Sequence, residues 1–247
     1  MGYGGRDVEV VSLSSEQCLV VACDSCGAIG DKEFDAVQVS PYIVGIFTTR
    51  VALMEVLATG AEPVALTVTV ANEPFPTGGE VIAGVRDELA TIGKRDLPMV
   101  ISTEKNIPTG QTGVGITVVG AVEKERLRVG RSRPGDCVYS LGWPKVGDEV
   151  VVDDGKAIAL ADHVRALLAH PGVHEVIPVG SKGIRAEAEN LAGAVHCRIR
   201  EWQASAGLDL EKSAGPSTCL VFTSGPEPPE IAGAPIHYLG RLSESDG

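Results

Sequence analysis

A mixed α+β fold in two domains is what this sequence predicts, on three observations. Short Val-rich runs alternate irregularly with two helical patterns through the first half. A polar stretch at 123–136, E-K-E-R-L-R-V-G-R-S-R-P-G-D, then breaks the apolar pattern. Beyond it strands and helices resume, so the chain divides into 1–125 and 126–247. A chain of 247 residues supplies two segments of about 120 residues, each able to build a core.

Asp7 to Leu13 and Gln17 to Asp24 read as strands joined by the turn S-S-E, with Asp24 closing the second. A Gly-containing loop follows to Asp35, and Ala36 to Val39 reads as a short strand. The helix expected from Ile43 to Thr59 repeats apolar residues at helical spacing, with Gly60 just past its end and Pro63 stopping continuation. Glu55 is the one carboxylate inside it, and a lone buried charge is costly unless paired, hydrogen-bonded or metal-bound. Val64 to Val70 is the clearest strand. Thr77 with Glu80 reads as a capping box for a helix carrying Val81, Val85 and Leu89 and ending at Gly93. Met99 to Ser102 and Thr112 to Val122 read as strands around the turn T-E-K-N-I-P-T-G-Q.

In the second half, strands are expected at Cys137–Leu141, Val176–Val179, Val195–Glu201, Thr218–Phe222 and Ile236–Leu239. Helices are expected at Gly155–Ala169 and Gly183–Gly193. P-E-P-P-E-I-A-G-A-P is a Pro-rich connection, and the terminal S-E-S-D-G is expected to fray.

The net charge of −12, with no compensating Lys/Arg run, argues against a nucleic-acid surface. No apolar run reaches the ~18 residues of a membrane span, and the N-terminus lacks a secretion signal. The expectation is a cytoplasmic protein with no membrane partner, and six reduced cysteines fit it.

C-D-S-C at 23–26 has redox or zinc spacing, but no second ligand pair follows, so it is read as incidental to Asp24. G-Q-T-G-V-G at 110–115 lacks the Lys-Ser/Thr of a P-loop and runs into a strand, where glycines permit close backbone approach. The five histidines show no clustered spacing. Four acids stand apart: Asp7, Asp24, Glu55 and Glu104, three of them at turns or strand ends. Hard oxygen ligands of this kind hold Mg²⁺ against phosphates, although each is also compatible with a solvated acid.

Several motifs together resemble one superfamily, that of aminoimidazole ribonucleotide (AIR) synthetase, selenophosphate synthetase, thiamin monophosphate kinase and the hydrogenase-maturation carbamoyl dehydratase. R-D-V-E-V at 6–10 resembles its D-D-A-A-V strand start, and A-C-D-S at 22–25 its T-T-D strand end. M-E-V-L-A-T-G-A-E-P at 54–63 resembles N-D-I-A-A-M-G-A-x-P, with Glu55 in the acid's place. S-T-E-K at 102–105 stands loosely for G-G-D-T, with Glu104 for its Asp, and R-P-G-D-C-V at 133–138 for K-P-G-D-x-(I/V). Two Asp-to-Glu changes and the lost Gly-Gly pair are departures. D-S-C-G-A-I-G at 24–30 and S-T-E-K-N-I-P-T-G-Q-T-G-V-G-I-T-V-V-G at 102–120 together most resemble the branch containing the α-ribazole kinases, which act in cobalamin lower-loop assembly.

The resemblance implies an N-terminal domain whose mixed sheet joins a partner's sheet in a dimeric barrel, and a C-terminal α/β sandwich-like domain covering the nucleotide. It implies ATP and Mg²⁺ as cofactors, with Asp7, Asp24, Glu55 and Glu104 as metal ligands, Lys105 on phosphate oxygens and Asp24 as the catalytic candidate. The reaction implied is phosphoryl transfer from ATP to a small-molecule hydroxyl. Thiamin monophosphate kinase-like chemistry, carbamoyl-dehydratase-like chemistry and a non-catalytic ATP-binding scaffold stay open.

Overall fold

Two five-stranded sheets and a central apolar helix organise the chain, for which a computed structural model describes residues 2–151 and 157–245. The first half contains β1 (Val8–Ser12), β2 (Gln17–Gly27), β3 (Ile29–Gly30), β4 (Val37–Gln38), α1 (Pro41–Ala58), β5 (Glu62–Val70), α2 (Gly79–Thr91), β6 (Met99–Thr103) and β7 (Gly113–Glu123). The second contains β8 (Cys137–Leu141), α3 (Asp148–Val151), α4 (Ala161–Ala169), β9 (Val173–Pro178), α5 (Gly183–Gly193), β10 (Cys197–Arg200), β11 (Leu220–Ser224) and β12 (Ile236–Glu244).

The first sheet runs β1-β2-β7-β5-β6 and is antiparallel except for the β5–β6 pair. The second runs β10-β12-β8-β11-β9, antiparallel throughout. Strict alternation of burial along β7 makes the first sheet one-faced, with Val114, Ile116, Val118 and Val122 inward. Its outer face stays uncovered and carries Val11, Leu19, Val21, Val119 and, at 70% exposure, Val100.

α1 is apolar nearly all round because it is covered nearly all round. It packs on β2 and β7 on one side, on α4 and β9 on the other, and on α2. One apolar core therefore runs from Val20 and Val118 through Leu53 and Met54 to Val164 and Phe222. α1 is also the one helix among the described residues long and apolar enough to cross a membrane, but most of it lies inside this core. The α1–α2 contact is close: a Cβ on Gly45 would stand 2.2 Å from the Val81 carbonyl oxygen, and one on Gly84 2.1 Å from that of Tyr42. Beside it Arg50 and Glu88 form a buried bidentate pair at 2.8 Å. Gly60 ends the helix at φ +81°, as its position after the apolar repeat predicts.

Several expectations need correction. β2 continues to Gly27, because β7 pairs with it through Gly113, so Asp24 lies within the strand. Thr77 makes no capping box: its hydroxyl donates to Glu73 within an irregular turn, and α2 begins at Gly79. The helix expected from Gly155 begins at Ala161, residues 155–156 lying outside the described residues. Ahead of it the backbone is held in the second sheet's margin, Ala159 N–H donating to Thr218 O and Trp143 N–H to Ala157 O. Ser243 and Glu244 do not fray but pair with Arg198 and Cys197.

Candidate functional site

Asp24 reaches its position by register. Cys18, Val20 and Ala22 face inward along β2, and two further residues along the same face is Asp24, beyond the packed core. Cys23 and Cys26 sit three apart on this strand and so point to opposite faces, which removes the C-x-x-C chelate reading. Asp7 immediately precedes β1, and Glu55 lies near the C-terminal end of α1 at 8% exposure.

These three acids line one cavity of about 760 Å³. Ile29, Val39, Ile43, Phe47 and Val51 form its apolar wall, and Val146, Val150, Ser181 and Ser217 enter from the second half. A smaller recess of about 40 Å³ continues from Asp7 and Glu55 to Lys182 and Glu187. Glu187 and Lys182 were not legible as site residues, since Glu187 is one of two glutamates in a polar helix and only its spacing sets it apart. It is an acid three residues from Ile184 and one from Ala188, on the buried stripe of α5.

Burial above all pushes the Glu55 carboxyl up to about 8; Asp7, Glu187 and Asp24 add to the shift and Arg6 opposes it. Its Oε2 has no hydrogen-bond partner among the described residues. Burial raises Asp24 to about 6, against a backbone hydrogen bond from Ser25. Glu187 is raised as well, by burial first, with Asp7 adding to it. Arg6, buried behind Asp7, donates to the Val176 and Arg128 carbonyls and lies 3.9 Å from Glu175.

Glu104 and Lys105 are not brought to this cavity. The Glu104 carboxylate closes its own turn, accepting from the Asn106 N–H at 2.6 Å and the Ile107 N–H at 3.1 Å, which holds its pKa down. Lys105 is exposed on the same turn. Nor is the neighbouring glycine-rich loop a phosphate cradle. Asp35 accepts from the Thr112 N–H and hydroxyl at 2.8 and 2.7 Å, and Asn72 accepts from the Gly113 N–H at 3.1 Å.

The three cavity acids fit a divalent cation: a buried carboxylate with an orphaned oxygen is held in its costly ionic form only when a cation compensates it. Among the described residues no three His, Cys, Asp or Glu side chains form a preformed metal centre. Magnesium, which keeps waters and shares its coordination with phosphate oxygens, requires no such cage.

Residues 5–122 match the family described as AIR synthase related protein, N-terminal domain. That match covers just under half of the chain, its first sheet and α1, and assigns the AIR synthase-related N-terminal domain to that half. Thiamine monophosphate kinase from Aquifex aeolicus is 17% identical with a TM-score of 0.67, over 96% of this chain and 89% of that one. AaThiL complexed with AMPPCP and TMP gives 18% identity and a TM-score of 0.66, over 98% and 86%. PurL of T. maritima complexed with ATP gives 15% and 0.61, over 98% of this chain but 38% of that one. At these identities the structures establish the AIR synthase-related fold alone. No curated protein sequence matches the chain.

Proposed function

We propose that the chain is an ATP- and Mg²⁺-dependent phosphotransferase that moves the terminal phosphoryl group of ATP to a hydroxyl of a small molecule. One observation carries the reading: Glu55, buried with an orphaned oxygen, shares a cavity of about 760 Å³ with Asp7 and Asp24. That volume suits a small-molecule site. Asp7, Asp24 and Glu55 would hold the metal, which when bound supplies charge neutralisation between carboxylates and phosphate oxygens.

The protein's own residues do the rest. Glu55 gives up its proton as the site loads, so loading is favoured as pH rises towards 8. Asp24, raised to about 6 by burial in the metal-free site, is ionised at neutral pH and is the catalytic candidate by its position in the family motif. Lys182 brings a positive charge beside Asp7 and Glu187. The wall of Ile29, Val39, Ile43, Phe47 and Val51 offers an apolar seat for the acceptor's ring.

For the acceptor we take α-ribazole, an intermediate of cobalamin lower-loop assembly. Its support is the motif pattern at Asp24–Gly30 and Ser102–Gly120 together with that apolar wall. The wider reading is supported by the fold shared with thiamine monophosphate kinase and by the AMPPCP in one of those complexes. We further assign a cytoplasmic homodimer of two-domain chains, divided near residue 125. The uncovered outer face of the first sheet is the surface a second copy would cover. A non-catalytic ATP-binding scaffold is the second reading, favoured by the withdrawal of Glu104 into its own turn.

Labelled ATP with Mg²⁺, offered to α-ribazole, other nucleosides and thiamin monophosphate, tests the reading. Transfer to α-ribazole alone supports the full assignment, and transfer to another acceptor keeps only the kinase. ATP binding without transfer to any of them leaves the scaffold.

A further inference from the structure

A second cavity, of about 610 Å³, shares no lining residue with the carboxylate site. It opens where the end of α1, the segment joining the sheets and α4 meet, over an apolar floor that includes Leu57 and Leu168. Its walls carry five arginines, Arg126, Arg128, Arg131, Arg133 and Arg165, against two acids, Glu62 and Glu125. In a chain of net charge −12 this is a local inversion of sign.

The arginines are only partly compensated from within: Arg126 pairs with Glu123 at 3.1 Å, both side chains being exposed. Arg165 reaches Glu62 at 2.9 Å, and Lys94 competes for that carboxylate at 3.7 Å. Arg131 donates to the carbonyls of Leu127 and Glu125 at 2.8 and 3.2 Å, which leaves its charge in place. Among the described residues the guanidinium groups of Arg128 and Arg133 have no hydrogen-bond or ion-pair partner. Offsetting the carbonyls at the end of α1 calls for about one cation, not five.

The segment that presents them is held from beneath. Buried Glu175 accepts from the N–H groups of Gly130, Arg131 and Ser132 and from the Ser132 hydroxyl, at 2.8 to 3.0 Å. Arg6 donates to the Arg128 carbonyl at 3.1 Å. Like charges held together by a rigid, buried anchor are preorganised for a multivalent anion, and planar guanidinium groups match phosphate oxygens in pairs.

We propose that this cavity binds a small polyanion of the phosphate class, independently of the metal site. Calorimetric titration with pyrophosphate in EDTA tests it. Saturable binding is expected, at least tenfold weaker in the double variant Arg128→Gln/Arg133→Gln and unchanged in Asp24→Asn. Among the described residues neither replaced side chain has a polar partner, so the double variant should melt as the wild type does. If it does not, Arg133→Glu at an exposed position gives the same readout. The proposal is overturned by the absence of saturable wild-type binding at millimolar pyrophosphate. Undiminished binding in the arginine variants, or loss in Asp24→Asn, overturns it equally.

Discussion

Replacing Glu55 by Gln keeps the side chain's shape while removing its ability to ionise. The carboxyl titrates at about 8 in the fold against 4.5 in an open chain. At about 1.4 kcal/mol per tenfold change in proton activity, full ionisation inside the fold costs about 5 kcal/mol. Because the folded state holds this proton more tightly, its stabilising contribution is complete below pH 4.5 and is lost as pH rises through about 8. The metal-free wild type should therefore weaken across that window more steeply than Glu55→Gln, which keeps only the contributions of Asp24 and Glu187. At pH 7 the variant should be the more stable by about 3 kcal/mol, with the gap nearing its limit above pH 8. Urea denaturation at pH 5, 7 and 9 in EDTA reads this directly. Adding Mg²⁺ and ATP should then reverse the order, since a neutral amide oxygen is a poorer ligand for a hard cation. Parallel stability curves for the two proteins from pH 5 to 9 would refute the buried-proton argument. An undiminished Mg²⁺-ATP stabilisation of the variant would refute the metal assignment.

Four further outcomes are expected. The rate of phosphoryl transfer should fall on the acid side as Asp24 takes up its proton, at a pH below its metal-free value of about 6 because a bound cation favours the carboxylate. Asp24→Asn should lower kcat by at least ~100-fold and remove that limb, whereas an unchanged pH–rate profile would clear Asp24 of the role. Arg50→Met strands the buried Glu88 carboxylate and should cost about 3–5 kcal/mol, most of it recovered in Arg50→Met/Glu88→Leu; additive losses in the double variant would contradict the pairing. ATP affinity should collapse in EDTA and light scattering should give a dimer. A 25.7 kDa particle at micromolar concentration would leave the outer face of the first sheet without its assigned partner.

Local pattern alone determined a good deal of this protein. Apolar spacing with Gly60 and Pro63 set out α1 to within two residues, and the Val-rich runs marked β5 and β7, because period and punctuation are properties of neighbouring residues. Gly183–Gly193 was legible for the same reason. Asp7, Asp24 and Glu55 stood out because acids beside apolar runs are conspicuous in one dimension, and the fold brings all three to one cavity. What a carboxylate does at a turn is decided by which backbone N–H groups come within reach. Glu104, an acid in the same kind of context, therefore spends its charge on Asn106 and Ile107. Only tertiary structure delivered Glu187 and Lys182, which arrive from more than a hundred residues away as β9 packs on α1 and α5 packs on β9. Four of the cavity's arginines stand together at 126–133 in the sequence, but only the packing of α4 adds Arg165 and closes them around one cavity.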